Sequence, residues 1–338
     1  MSGPFGAPIA VLGAGNWGTV LAHLAAQSGH EVRLWSRDPA QCAEINETHI
    51  NSKGIAALRI DDRVRAEPDL RRAVDGAGMI VVVIPSQAFR EVSRRLGDVL
   101  DPRQIVVHAT KGIELKSHRR MTEILEEETC ARQIGVLSGP NIAAEIAAGL
   151  PAGTVVTSRF PHVVKAGKQV FTSGRFMVFG ASDVVGVELC GALKNVVAIA
   201  AGIASGMRIG ENAMSLLVTR GLAEITALAS AMGARPGTLA GLAGAGDLMV
   251  TCRSHHSRNH RVGEALAKGD SLEAAVARLG MVAEGVTTAI AAKELAAAHE
   301  IECPVLERVY RVLHEGVAPT VALDELLRLR AGRDVAWA

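Results

Sequence analysis

The chain has 338 residues, and its 36 Lys+Arg against 35 Asp+Glu leave a formal charge of +1. That balance excludes a protein that grips nucleic acid or a membrane surface through a broadly basic face. A hydrophobic share of 49% with 21% charged residues excludes disorder, and the length favours two domains at roughly 150 residues each. Aromatics are only 3%, so the core is expected to be aliphatic, with 35 glycines available for tight backbone approaches. The start, Met1-Ser2-Gly3-Pro4, lacks the basic n-region and unbroken apolar run of a signal peptide. No stretch reaches the ~18–20 uninterrupted apolar residues of a spanning helix. Cys42, Cys130, Cys190, Cys252 and Cys303 are scattered without a C-x-x-C pair. They read as free thiols in a reducing compartment, most simply as small buried hydrophobes.

Residues 8–12, 31–35, 79–84, 104–108 and 134–137 read as strands of a parallel sheet, because near-continuous apolar runs suit strands covered on both faces. Helical spacing fills 19–28 and 86–96, and the strand-like runs 154–157 and 176–179 extend the sheet. The alternation implies an α/β, Rossmann-type doubly wound domain over residues 1–187, with ligands at the carboxyl ends of its strands. From about Val187 the pattern turns helical, in 188–205, 215–232, 272–277, 287–299, 304–315 and 322–330. An all-helical substrate-binding and catalytic domain is therefore expected over residues 188–338, with 241–263 as its most polar, loop-rich stretch.

Gly13-Ala14-Gly15-Asn16-Trp17-Gly18 is a G-x-G-x-x-G that follows a strand and opens a helix. In that context Gly13 makes the turn, Gly15 admits a pyrophosphate, Gly18 lets helix and strand pack, and the helix N-terminus offers N–H groups to phosphate. The plainer alternative is a glycine turn with no ligand. The second strand ends in Ser36-Arg37-Asp38, whereas an NAD-selective site usually places an acid at the tip to bond the ribose 2′-OH. Ser36 and Arg37 suit a 2′-phosphate, so the reading leans to NADP(H) over NAD(H), with Asp38 still able to turn inward. Ile84 to Gln87 and His108 to Gly112 also fall at strand ends, the second carrying Lys111. A Gly139-Pro140 turn precedes Asn141, Ala143 and Glu145. Lys194-Asn195 sits early in an almost uncharged helix, and Asp247 and Ser257-Arg258-Asn259 lie in the polar stretch.

With those motifs assembled in one order, the sequence resembles the bacterial NAD(P)-dependent sn-glycerol-3-phosphate dehydrogenases over nearly its whole length. The resemblance rests on Gly13 to Gly18, Ile84 to Gln87, Thr110-Lys111-Gly112, Gly139 to Glu145, Leu193-Lys194-Asn195, Gly244 to Thr251, Ser257-Arg258-Asn259 and Glu284-Gly285. It implies reversible reduction of dihydroxyacetone phosphate to sn-glycerol 3-phosphate for glycerophospholipid synthesis, in a cytoplasmic enzyme that is often a homodimer. It implies that Lys194 is the catalytic acid/base. Asn16, Trp17, Ser36, Arg37, Lys111, Ala143, Arg258, Val282 and Glu284 would contact the dinucleotide beside Gly13, Gly15 and Gly18. Lys111, Gly139, Asn141, Lys194, Asp247, Ser257, Arg258 and Asn259 would contact substrate. The family usually follows the Gly-Pro turn with Ser or Thr, and this chain has Asn141.

The chemistry fits those residue types. Hydride delivery to a ketone builds negative charge on oxygen, which needs a proton donor and electrostatic stabilisation. A lysine in an apolar helix holds its proton less firmly, which suits Lys194 as donor, with Lys111 as a second cation. The plainer reading of Lys194 is a side chain snorkelling to solvent, and of Asp247 a loop cap. Arg258 offers a planar fork to a phosphate, with Ser257 and Asn259 as neutral partners, so substrate is expected to lie between the domains. His255, His256 and His260 lack an acidic or Cys partner at ligand spacing, and no metal is expected. The rival readings are a two-domain dehydrogenase acting on ketopantoate, a hydroxyacyl thioester or a 6-phosphogluconate-like acid, and a non-catalytic NADP(H)-sensing module. Lys194-Asn195 with the Ser257-Arg258-Asn259 cluster discriminates against both.

Overall fold

The computed structural model describes residues 6–280 and 282–328. The signal-peptide question at Met1 to Pro4 and the last two residues of the expected 322–330 helix fall outside them. The described chain folds as two compact units, one of residues up to Lys111 and from Arg119 to Val184, the other of Gly112–His118 and residues from Val185 onward. The sequence reading divided the chain once, near 187. It had no means of seeing that 112–118 folds with the helices.

The first unit alternates strand and helix. In order it runs β1 (Ile9–Leu12), α1 (Asn16–Gln27), β2 (Val32–Trp35), α2 (Pro39–Thr48), β3 (Val64–Glu67), α3 (Leu70–Val74), β4 (Met79–Val82) and α4 (Phe89–Gly97). It continues with β5 (Ile105–His108), α5 (Met121–Glu128), β6 (Gln133–Ser138), α6 (Ala143–Ala147), β7 (Ala152–Ser158), α7 (Pro161–Phe171) and β8 (Phe176–Ala181). The strands form one eight-stranded sheet in the order β3-β2-β1-β4-β5-β6-β7-β8. Adjacent pairs are parallel except β6 and β7, which run antiparallel with Val136 opposite Thr157, so the sheet is mixed where a parallel one was expected. Alternation along β1 shows why its residues are apolar on both faces. Ile9 and Val11 belong to the core cluster on the α1 side of the sheet, while Ala10 and Leu12 belong to the one on the α3 side. All four are fully buried, worth ~1.5–3 kcal/mol for each large side chain.

Strand order reverses between β1 and β4, which opens the crevice that ligands of doubly wound sheets use. β3, with its sequence Val64-Arg65-Ala66-Glu67, escaped the sequence reading. As an edge strand it alternates buried and more open residues instead of running apolar throughout.

The second unit is helical: α8 (Val184–Gly206), α9 (Glu211–Ala231), α10 (Pro236–Leu239), α11 (Asp247–Arg253), α12 (Arg258–Ala267), α13 (Leu272–Leu279), α14 (Glu284–Ala298), α15 (Pro304–His314) and α16 (Pro319–Leu327). The stretch 241–263 is therefore mostly helix, with a wide turn at Leu242–Gly246 running directly into α11. Its glycines and charges had disguised it as loop. By length and composition alone, α8 and α9 are each long and apolar enough to cross a membrane. In α8 that apolar window is 94% buried within the protein, the environment of a core helix. It packs closely on α12: a Cβ at Gly202 would stand 2.0 Å from the His260 carbonyl oxygen, and one at Gly263 2.1 Å from that of Ile199.

Candidate active site

In the first unit, the glycine turn closes β1 and opens α1 at the switch point. Gly13 has φ of 119°, and a Cβ there would stand 2.2 Å from the Val83 carbonyl oxygen just past β4. A Cβ at Gly18 would stand 1.8 Å from the Gly13 carbonyl oxygen. Gly15 is different: it is exposed, and nothing lies within 4 Å of its would-be Cβ. As the N-cap of α1 it makes no side-chain cap hydrogen bond, and no acidic residue follows in the first turn. Two crowded glycines and one facing open space, before an uncapped helix start, form a cradle that fits a dinucleotide pyrophosphate. Asn16 and Trp17 start the helix half-buried, with the Trp17 indole N–H enclosed and without a hydrogen-bond partner.

Four polar side chains missed by the sequence reading, or seen there only as a cofactor contact, hold this turn from behind. Ser36 donates to the Gln41 amide oxygen at 2.6 Å. Gln41 donates to the Ala14 carbonyl at 3.0 Å and to Asn51 at 2.9 Å. Asn51 donates to the same carbonyl at 2.9 Å and to the Thr19 hydroxyl at 2.8 Å. A buried network with every member paired rigidifies what it touches. The clue in the sequence would have been buried amides and a hydroxyl in otherwise apolar surroundings, which periodicity alone does not reveal.

At the β2 tip, Arg37 is exposed. Asp38 caps α2 through the backbone N–H groups of Ala40 and Gln41, and its other oxygen pairs with Lys53. Those partners hold the Asp38 carboxyl below its ordinary range, the Lys53 contact most of all. The acid that could have turned toward a ribose is thus committed to its own helix.

Around the far strand ends, the Thr110 hydroxyl donates to the Ile84 carbonyl at 2.8 Å, joining the tips after β4 and β5. Lys111 Nζ donates to the Gly139 carbonyl at 3.0 Å. Gly139 sits at φ of 156° with Thr154 Cα 3.0 Å from its would-be Cβ. Asn141 donates to Thr154 Oγ1 at 2.9 Å, while its own amide oxygen is enclosed and unpartnered. The structure therefore brings Lys111, Gly139 and Asn141 into one cluster, with Ala143 beginning α6 beside it.

In the second unit, Lys194 lies in the middle of α8, not near its start, and is only 5% exposed. Its ammonium donates to Asp247 Oδ1 at 2.8 Å and to the Thr251 hydroxyl. Asp247 is 1% exposed and is the first residue of α11, not a loop cap. Thr251, one turn on, donates to the Asp247 carbonyl at 2.6 Å, which fixes its oxygen toward the lysine. Thr251 was missed; its spacing of four residues from Asp247 was the available signal. Cys252 lies buried next to this group, and burial pushes its thiol up to about 12, so it stays protonated.

Asn259 spends its side chain on structure: it donates to Asn195 Oδ1 at 2.9 Å and accepts from the Gly285 N–H at 3.0 Å. These two bonds link α8, α12 and α14. Ser257 caps α12, accepting from His260 N–H at 3.3 Å. Arg258, the first residue of that helix, is solvent-accessible yet crowded by protein, which lowers its pKa from the usual arginine value. Glu284, at the start of α14, opposes the shift. Val282 is 46% exposed. His255 and His260 do have an acidic neighbour at ligand spacing, Glu264, one helical turn beyond His260.

The family model described as NAD-dependent glycerol-3-phosphate dehydrogenase N-terminus matches residues 8–164, and that of the C-terminus matches residues 183–324. A glycerol-3-phosphate dehydrogenase (NAD(P)+) of Oceanobacillus iheyensis is 42% identical over 328 residues, covering 96% of this chain and 95% of its own. A protein of the same description from Nitratidesulfovibrio vulgaris is 44% identical over 321 residues, covering 94% and 97%. The crystal structure of glycerol-3-phosphate dehydrogenase from Coxiella burnetii superposes with a TM-score of 0.93 at 38% identity, covering 96% of this chain and 100% of that one.

Proposed function

The chain belongs to the NAD-dependent glycerol-3-phosphate dehydrogenase family, and from that premise we propose that it reversibly reduces dihydroxyacetone phosphate to sn-glycerol 3-phosphate with NAD(P)H. The product would feed glycerophospholipid synthesis. The observation that carries the reading is the buried Lys194–Asp247 pair, 2.8 Å apart in an apolar helical core. A charge so nearly removed from water is costly unless it is put to use.

When bound, the reduced nicotinamide supplies the hydride that the ketone carbon accepts. Everything else falls to the chain. Lys194 delivers a proton to the carbonyl oxygen as negative charge develops there, and takes it back in the oxidative direction. Asp247 and Thr251 are positioning residues: they aim the ammonium and stabilise its charge between turnovers. Lys111 offers a second cation against the oxyanion, and Arg258 a fork for the phosphate. The glycine turn at Gly13 to Gly18 holds the dinucleotide, with Ser36 and Arg37 at the adenosine ribose. The committed Asp38 supports a preference for NADPH.

The experiment is direct. Adding dihydroxyacetone phosphate to the protein with NADPH or NADH should cause loss of nicotinamide absorbance at 340 nm, a general property of the reduced cofactor. No turnover, or equal turnover with ketopantoate, overturns the reading. The proposal extends to a homodimer in the cytoplasm, and light scattering on the purified protein tests the dimer.

A further inference from the structure

His255, in the segment between α11 and α12, His260 in the first turn of α12 and Glu264 one turn later each present one donor atom, all within 4.8 Å of one another. A spacing of four puts His260 and Glu264 on one helix face, and that helix is seated on α8 by the close approaches at Gly202 and Gly263. His260 is 3% exposed, and neither of its ring nitrogens has a hydrogen-bond partner. The Cys252 carbonyl faces the ring, and Glu264 Oε1 stands 3.6 Å from its Nε2, beyond the 3.5 Å of a hydrogen bond. The His255 and His260 rings meet nearly perpendicular, at 86° with centroids 6.0 Å apart. Ser205, on α8, donates to Glu264 Oε1 at 3.5 Å, a supporting contact of the kind that orients a ligating carboxylate.

An imidazole buried with both nitrogens unsatisfied costs free energy that a native structure must justify. Water is one candidate partner, but two imidazoles and a carboxylate converging on one point form the donor set of a zinc-class ion. Calcium and magnesium, which take oxygen donors, do not fit it. We propose that His255, His260 and Glu264 bind one divalent transition-metal ion of the zinc class, with a fourth position left to solvent. The ion ties the exposed His255 to α12 and so orders residues 254–257, which lead directly into Arg258. This inference rests on geometry within the helical unit and does not require the catalytic reading to be correct.

The test uses the full chain, stripped of metal with a chelator and titrated with Zn2+ against a chromophoric competitor. All five cysteines are free and Cys130 is exposed, so the titration is run in a Cys130→Ser background to remove binding at that thiol. One tight equivalent is expected. It should weaken more than about 100-fold in His255→Ala, beyond the roughly tenfold to 100-fold typical of outer-shell losses, and also fall in Glu264→Gln. His255 is exposed, so the first variant should fold normally by circular dichroism. Loading with Co2+ should give a visible spectrum without a thiolate charge-transfer band. Absence of a tight equivalent, binding unchanged in both variants, or a thiolate band would each overturn the proposal. None of these readouts depends on turnover, so failure here leaves the proposed reaction standing.

Discussion

Truncating Asp247 to alanine would take away the carboxylate that faces the buried Lys194 ammonium at 2.8 Å. Losing one partner of a buried pair costs about 3–5 kcal/mol, whereas replacing both by apolar groups of similar volume is often neutral. Asp247→Ala should therefore lower both the melting temperature and kcat. The double variant Lys194→Met with Asp247→Leu should regain stability while remaining inactive. Measuring both on the same protein separates the structural role of the pair from its chemical one. Lys194→Ala should abolish turnover with dihydroxyacetone phosphate and leave NADPH binding, read by cofactor fluorescence, within about twofold of the parent; near-parental kcat would remove the lysine from the mechanism. Arg37→Ala should raise KM for NADPH by about tenfold, the worth of one charge-assisted contact, and barely alter KM for NADH. Lys194, Asp247 and Arg258 drew notice in the sequence because charged residues stand out in apolar or turn-rich stretches. Thr251, Gln41 and Asn51 were not, since ordinary polar residues acquire meaning only through partners that the fold supplies.

At the scale of elements, α9 and α15 are joined by a carboxylate instead of by apolar packing alone. Glu224, 6% exposed on α9, accepts from the N–H groups of Val305 at 2.8 Å and Leu306 at 3.1 Å, serving as a remote cap for α15. Burial pushes its carboxyl up to about 7, against an ordinary 4.5, even though those N–H groups pull the other way. The folded chain thus keeps a proton that the unfolded chain has released. The stability tied to that proton is fully present below about pH 4.5 and is lost as pH rises through about 7, an effect of about 3 kcal/mol at most. Glu224→Gln, which keeps an acceptor without the titration, should flatten the pH dependence of the urea midpoint across that window. An unchanged slope would show that the proton resides elsewhere. The crossing of α8 and α12 is equally specific: Gly263→Ala should lower the melting temperature markedly, since backbone, not a flexible side chain, blocks the new methyl group. The sheet strands with continuous apolar runs were readable in advance, and α11 and α12 were not. Their glycines and charges mimic loop composition, and the wide turn at Leu242–Gly246 depends on Gly244, where a Cβ would stand 2.1 Å from the Leu239 carbonyl oxygen.

The whole molecule combines a near-zero net charge with ligands that are both phosphorylated anions. On the proposed reading these agree, because Arg37 and Lys111 in the first unit and Lys194 and Arg258 in the second each meet a ligand's charge locally, and acids elsewhere cancel the total. The two-unit division was readable from the change of pattern near Val187, but its interleaving was not. Ile113, 1% exposed, belongs to the core of the helical unit, and His118 Nε2 meets Glu294 Oε2 of α14 at 2.6 Å. No local periodicity marks seven residues as belonging to a core built from the other half of the chain. Ile113→Ala should cost about 2–5 kcal/mol, and hydrogen exchange should place the loosening in the helices, with the sheet amides unaffected.

That excursion also has a temporal side. The ribosome releases residues 112–118 well before α8 is made, so the nascent sheet must mature around a segment whose apolar side chain has nowhere yet to go. Release of the carboxyl-terminal half closes the second core and retires that exposed isoleucine together. A recombination event that exchanged everything after Val184 would inherit a foreign Ile113 segment, so the helical unit can be inherited intact only by carrying two separate pieces of the gene.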